Sequence, residues 1–546
     1  MKRYINIFCA AAAVLSFAAC EKTVAPEAPV EEVLVGNVEL SSIQVVFPVD
    51  GGTKTVLVNA NGEWYYDCDY TWLSISANPE ENSVTFTADE NTTGKTRYGV
   101  VSVICGDKGY TDCRDIKVVQ VSTPVSLAAD GETANCYITA PGVTYKFPAT
   151  VKGNGKGDGN SKYIETCGVE INGAAYAELV WEATLDGDRT RSTYVIDGEP
   201  VFDGGNVYFT TGTEPGNAVI AVCDAAGEIL WSWHIWVSAE EIATKTDDNG
   251  LVWMDRNLGA LSVVPSEVQN TRGLFYQWGR KDPFLPSVAD FVEIPTIYST
   301  DDANTKNAKY AEQLKLRPSA NVNNEQKGNG KRGISTEEAI VTYHAPGNMT
   351  YSVANPEKFI SIHSVYTGGI KCDWYIMDPD NTTDEQSASS LWGNTATEVN
   401  YKTIFDPCPA GYAVPKSQAF GTINADLGYS QIGADFDEAG NKTADNWTED
   451  ENGYGFVWNH GGNNAYFPKS GSLGLFGSPQ YACEEMLYWA ADIADNELDG
   501  WGRANCLFMN GGGYVYVGIE RTGQILYDPS GYGARAYGAN VRCVKE

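Results

Sequence analysis

Between residues 38 and 123 apolar and polar residues alternate with a period of two. IQVVFPVDGGTKTVLVNANGEWYYD does so on either side of Asp50-Gly51-Gly52, a turn signal. WLSIS, SVTFTAD, YGVVSVIC and RDIKVVQVS follow. The pattern predicts about seven short strands at regular spacing, an immunoglobulin-like sandwich. Residues 124–242 read as a second β-rich unit, with strands at AELVWEA, NVYFTTG, NAVIAVCD and ILWSWHIWV. In the last of these, alternation places Trp231, Trp233, Ile235 and Val237 on one face, and Ser232, His234 and Trp236 on the other. The first row has the apolar continuity of a buried strand. Trp236 is left for a neighbouring domain, and the sequence around His234 offers it no ligand partners.

From residue 243 the pattern changes. GLVWMDRNLGAL and GLFYQWGRKDPF are dense in Trp, Arg and Asp, and helix signals enter. Ser335 and Glu338 have capping-box spacing, and Pro356 suits a first helical turn. The expected fold class is mainly β and multidomain. It comprises an immunoglobulin-like sandwich at 38–123, a β-rich sandwich-like domain at 124–242 and an α+β unit at 243–546.

Composition narrows the partners. The chain has 71 Asp and Glu against 38 Lys and Arg, a formal charge of −33, which excludes a nucleic-acid footprint. The N-terminus, MKRYINIFCAAAAVLSFAAC, pairs Lys2 and Arg3 with a short apolar run ending in small residues before Cys20. It resembles a bacterial lipoprotein signal, which implies acylation of Cys20 after removal of the leader. EKTVAPEAPVEEV then reads as a flexible acidic tether over 21–37. The expected location is the outer membrane, lipid-anchored and surface-exposed, with the lipid as the membrane contact. Setting aside Cys9 and Cys20 leaves eleven of the 13 cysteines, an odd number. In an oxidising compartment Cys105 with Cys113, and Cys408 with Cys543, are candidate pairs, and sequence leaves the connectivity open.

Two further resemblances are carried by motifs. Gly51-Gly52, Trp64, Trp72-Leu73, Asn91, Arg97-Tyr98-Gly99 and Val119-Gln120-Val121 resemble the BACON (Bacteroidetes-associated carbohydrate-binding often N-terminal) family. That implies carbohydrate or mucin binding, although Trp64 and Trp72 also suit the core of so small a sandwich. Trp253-Met254-Asp255-Arg256-Asn257-Leu258, Asp406-Pro407-Cys408-Pro409-Ala410-Gly411-Tyr412, Val414-Pro415, Tyr488-Trp489-Ala490 and Val541-Arg542-Cys543 occur in order across 243–546. Together they resemble the Fibrobacter succinogenes major paralogous domain, related to C-type-lectin-like and formylglycine-generating folds. In such a fold the terminal strand returns beside the first, which implies that Cys543 approaches Cys408.

Signs of catalysis are weak. GxSxG and HExxH are absent, and the four His (234, 344, 363, 460) are scattered. The loop GNGKGDGNS lacks P-loop spacing. Formylglycine-type chemistry needs two neighbouring reactive cysteines to hold copper; Cys506 is a loose partner for Cys543. No cofactor is expected. Calcium has two acidic loops on offer, Asp378–Glu385 and Asp495–Gly500, neither with EF-hand spacing.

The expected function is therefore non-enzymatic: a cell-surface lipoprotein binding glycans or host glycoproteins through its C-terminal head. The alternative is a structural or adhesive subunit, of fimbrial-tip type, contacting protein. Sugar binding needs exposed aromatic faces beside polar partners. The head offers Trp278, Trp374, Trp392 and Trp501 with Arg503, while Trp253 and Trp489 lie in fold motifs and read as core.

Overall fold

A computed structural model describes residues 35–68, 70–106, 111–154, 168–183, 195–247, 250–285, 317–318, 347–360, 374–375, 391–393, 402–420, 434–436, 442–445, 447–460, 463–474, 479–480, 483–493, 504–510, 515–517 and 535–546. Within them the fold is mainly β, in several separate sheets. The first module has eight strands: β1 (Val38–Leu40), β2 (Gln44–Phe47), β3 (Gly52–Ala60), β4 (Trp64–Asp67), β5 (Leu73–Asn78), β6 (Ser83–Ala88), β7 (Arg97–Cys105) and β8 (Asp112–Gln120). They form two four-stranded sheets, ordered β1-β3-β6-β5 and β2-β8-β7-β4. Strand alternation decides which residues fill the space between them: Val56 and Val58 are buried while Leu57, between them, is 59% exposed. Phe47, Trp64, Phe86 and Val103 complete this core. The turn before β3 needs glycine. Gly51 has φ of 79°, and a Cβ there would stand 2.1 Å from the Ala88 carbonyl oxygen.

The second module pairs β9 (Val125–Ser126), β11 (Thr144–Pro148), β13 (Ile196–Asp203) and β14 (Asn206–Thr211) in one sheet. Its facing sheet runs β10 (Cys136–Thr139), β16 (Ile229–Val237), β15 (Gly216–Cys223), β12 (Tyr176–Ala183). Strand β16 is parallel to β10 and antiparallel to β15. Trp233 points into the sandwich, with its ring 4.9 Å from that of Phe147. The opposite face is buried too. Trp236 donates through Nε1 to the Ala260 carbonyl at 3.1 Å, and His234 bonds Tyr276. All three tryptophans of β16 are 0–1% exposed.

What covers that second face is the segment after residue 243. It contributes β17 (Thr244–Thr246), β18 (Val252–Met254) and β19 (Phe275–Gln277), with a helix at Gly347–Ala354. Val544–Lys545 lies between β18 and Tyr412–Ala413, and Gly538–Asn540 pairs with β19. A single apolar cluster runs from Cys136 through Trp231 to Cys543, so residue 242 divides the chain but not the core. Cys408 and Cys543 form a disulfide across 135 residues of sequence.

Gln44 makes four hydrogen bonds from the first sandwich to the second. Gln44 Nε2 donates to the carbonyls of Ala177 (2.8 Å) and Pro200 (3.3 Å). Its Oε1 accepts from the amides of Ala177 (3.2 Å) and Phe202 (2.9 Å). Around it Val46, Val119, Val121 and Val201 form a small apolar contact. Tyr98 donates to the Asp197 carbonyl at 2.8 Å. The Lys54–Asp203 ion pair, with both side chains over a third exposed, adds little.

Two outcomes follow. Gln44→Ala strands four buried backbone groups and should cost about 3 kcal/mol of docking; calorimetry is expected to show the first module melting separately. Replacing Cys408 and Cys543 by serine frees a 135-residue loop. Loop-closure entropy puts the loss at about 5 kcal/mol, read as a lowered urea midpoint.

Candidate functional site

The exposed aromatics that the described residues bring together lie at one end of the first sandwich. Tyr70 and Trp72 lie between β4 and β5. Tyr70 lies on β7 at Gly99: a Cβ on that glycine would stand 3.1 Å from the ring's Cδ2. Tyr70 is nevertheless 38% exposed. Trp72 is half-buried at the rim of the core, 6.4 Å from Tyr70 between centroids and tilted by 58°. The Arg97 guanidinium stands 5.7 Å over its indole.

Asn91 holds this arrangement. Its Nδ2 donates to the carbonyls of Lys95 (2.7 Å) and Gln120 (3.4 Å). Its Oδ1 accepts from the Thr93 hydroxyl (2.7 Å), the Thr93 amide (3.2 Å) and Arg97 Nε (3.0 Å). Arg97 also donates to the Glu90 carbonyl at 3.0 Å, so its charge is held by neutral oxygens. Exposed Asp67, Asp89 and Glu90 flank the platform in sequence, with Lys95 as an exposed cation. An open phenol face beside fixed polar groups can stack on a pyranose ring and exchange hydrogen bonds with its hydroxyls. Tyr65, on β4, is a further exposed ring at 55%.

Trp278, Trp374 and Trp392 do not form such a site. Trp278, Trp374 and Trp392 are 0%, 1% and 1% exposed, which corrects their assignment as ligand-binding residues. Each indole N–H is spent internally: Trp278 on the Ala490 carbonyl, Trp374 on that of Trp278, and Trp392 on that of Arg280. Arg280 lies between the rings of Phe284 and Trp374 and donates to the Ser352, Asn355 and Lys358 carbonyls at the end of the Gly347–Ala354 helix. The Trp- and Arg-rich motifs are therefore packing. Trp253 and Trp489 are buried as well. Trp501, Arg503, Cys20 and both acidic loops lie outside the described residues. Among the described residues no group of three His, Cys, Asp or Glu is placed to hold a metal.

The cysteines divide. Cys105 and Cys113 are free, and the ladder explains why. Cys105 lies opposite Asp112, while Cys113 lies opposite Ile104. The two thiols thus point to opposite faces, Cys105 into the core and Cys113 to the outside. Cys543 is bonded to Cys408, so its sulfur is committed to a disulfide and is not a reactive thiol for copper.

One other cluster carries chemistry-bearing groups. Lys281 Nζ is 2.5 Å from Ser232 Oγ and from Asp282 Oδ1, and Ser232 Oγ donates to Asp282 at 2.6 Å. Burial pushes the Lys281 ammonium down to about 8. All three are at most 3% exposed, so no substrate reaches them, and the cluster instead ties the head to β16. His234 shares that face, hydrogen-bonded to Asn217 at 2.8 Å, and burial pushes it down to about 3.

Sequence reasoning weighed Trp64 and Trp72 together as core. Trp64 is core, whereas Trp72 reaches the rim. It passed over Tyr70. The available signal was an aromatic pair two residues apart, Tyr70 and Trp72, in a turn rather than on a strand.

Residues 62–121 match the BACON family, described as "Putative binding domain, N-terminal". No curated protein matches the chain. Among solved structures it is similar to a Bacteroides ovatus GH5 xyloglucanase in complex with a XXXG heptasaccharide, at 20% identity over 19% of this chain and 22% of that one, with a TM-score of 0.14. It is also similar to the Pseudomonas aeruginosa CupB2 chaperone, at 10% identity over 36% of this chain and 100% of that one, with a TM-score of 0.16. The chain thus spans about a fifth of the xyloglucanase, and resemblance at these scores carries no argument about activity. The matched family segment contains Tyr70, Trp72, Asn91, Arg97 and Gly99, the whole platform.

The acid response of the seam is measurable. A folded-state His234 at about 3 against 6.5 unfolded means its contribution is complete above pH 6.5 and is lost as pH falls towards 3. Between pH 6.5 and 4 this amounts to roughly 3 kcal/mol. Urea midpoints for wild type and His234→Gln are expected to converge as the pH is lowered.

Proposed function

We propose that this chain is a non-enzymatic, lipid-anchored protein of the outer-membrane surface that binds glycans through the BACON module's aromatic platform. The observation that carries this is Tyr70, packed against Gly99 yet 38% exposed, beside Trp72 and the Arg97–Asn91 polar frame. The lipoprotein-like leader and the acidic tether at 21–37 support display away from the membrane. The ligand is a neutral glycan: the platform is flanked by carboxylates and the chain carries a formal charge of −33, which repels uronic or sulfated sugars. Trp253, Trp278, Trp374, Trp392, Trp458 and Trp489 are committed to the head's core, so Trp501 and Arg503 are the expected ligand residues of the head left to test.

The adhesive alternative rests on the outer face of the β1-β3-β6-β5 sheet. There Thr53 pairs with Thr87 and Thr55 with Thr85 through exposed hydroxyls, beside exposed Leu57, and β5 is an open edge. An exposed row of paired hydroxyls ending at an open edge strand suits a protein surface.

A glycan array probed with residues 21–546 is expected to retain neutral oligosaccharides. Tyr70→Ala and Trp72→Ala should each weaken binding about tenfold by calorimetry, the worth of one aromatic contact. Trp501→Ala tests the head. Retention of no glycan by the wild-type chain would sink the proposal; unchanged binding in both platform variants would move the site elsewhere.

A further inference from the structure

Glu178 occupies the point where the three parts of the molecule meet. It sits on β12, in the row Glu178–Ala221–Ser232 that crosses β12, β15 and β16 on the face covered by the head. The neighbouring residue, Ala177, is the one gripped by Gln44 of the first sandwich. Charged and titratable groups face Glu178 from every side. Its own module presents the Cys223 thiol, which hydrogen-bonds to it, and also Glu199 and Tyr176. The first sandwich presents Lys117, and the head presents Glu357.

The cations nearby are already engaged. Lys117 is 3.6 Å from Glu199; Glu357 is faced by Lys358, which also stands over the Tyr351 ring, by Arg280, which donates to helix-end carbonyls and Gln277, and by Asp282. Glu178 is 6% exposed, and its Oε2 and the Oε2 of Glu357 are buried without a hydrogen-bond partner among the described residues. Two carboxyl groups, each with one buried oxygen lacking a hydrogen bond among the described residues, thus meet at this junction. Burial raises both, and Glu178 is pushed up to about 7.

We propose that Glu178 is a proton-dependent latch between the two sandwiches and the head. Protonated, it lets the three parts close on one another. Ionised, it places an unpaired charge beside Glu357 and loosens the junction, including the Gln44 clamp. The sign follows from a folded-state value raised above 4.5: the contribution is complete below pH 4.5 and is lost as pH rises through about 7.

Hydrogen exchange of the Ala177 and Phe202 amides, both donors to Gln44, reads the junction directly. In the full chain, their protection, corrected for intrinsic exchange, is expected to fall on the order of 50-fold between pH 5 and pH 8, the factor this displacement allows. Glu178→Gln should hold the profile flat, and Glu357→Gln should shrink the fall. A flat wild-type profile overturns the latch without reference to any variant. So does a fall in Glu178→Gln that parallels the wild type, which would assign the loosening to another group.

Discussion

The molecule is organised by the burial of one β-sheet on both faces. A sheet wet on one side needs polar residues at alternate positions. Strands β12 and β15 have none exposed, and β16 is buried from Trp231 to Val237. One face is closed by the partner sheet of the sandwich, and the other must be closed by something else. The segment from residue 243 onward does so, and Trp278, Trp374, Trp392 and the Lys281–Asp282 pair are consumed in the process. The polar residues on the covered face, Ser232, His234 and Asn217, are tolerated because each finds a partner there.

This explains what the sequence could disclose. The first sandwich was legible strand by strand, since Leu57 outside and Val56 and Val58 inside follow directly from period two. The Trp231/Trp233 face was legible for the same reason. The fate of the head's tryptophans was not. An indole in a Gly- and Arg-rich stretch has no period to betray its surroundings, and Trp278 is buried by Trp392, more than a hundred residues away in sequence. The Cys105–Cys113 pairing failed on local geometry: closeness along a hairpin does not bring side chains to one face. The platform was half visible. Trp72 and Gly99 stood out as motif residues, yet only the structure puts Tyr70 between them.

The division of labour is accordingly uneven. Among the described residues the aromatic rings are concentrated in the interior, and the large exposed ones, Tyr65 and Tyr70, sit on the first module. The Gln44 clamp holds that module to the second, so the platform is presented by a stiff body rather than by a bead on a string.

The pairing of Val544 with Trp253, and of Gly538–Asn540 with β19, also bears on the order of assembly. These ladders join residues nearly three hundred positions apart, so the head's sheets must wait for them while the sandwiches, built from nearer contacts, can form first. During that interval the outer face of β16, with Trp236 and His234, stands open to water and to other chains. The interval, rather than the finished protein, is when this molecule is most prone to aggregate, and it is when a holding chaperone would matter most.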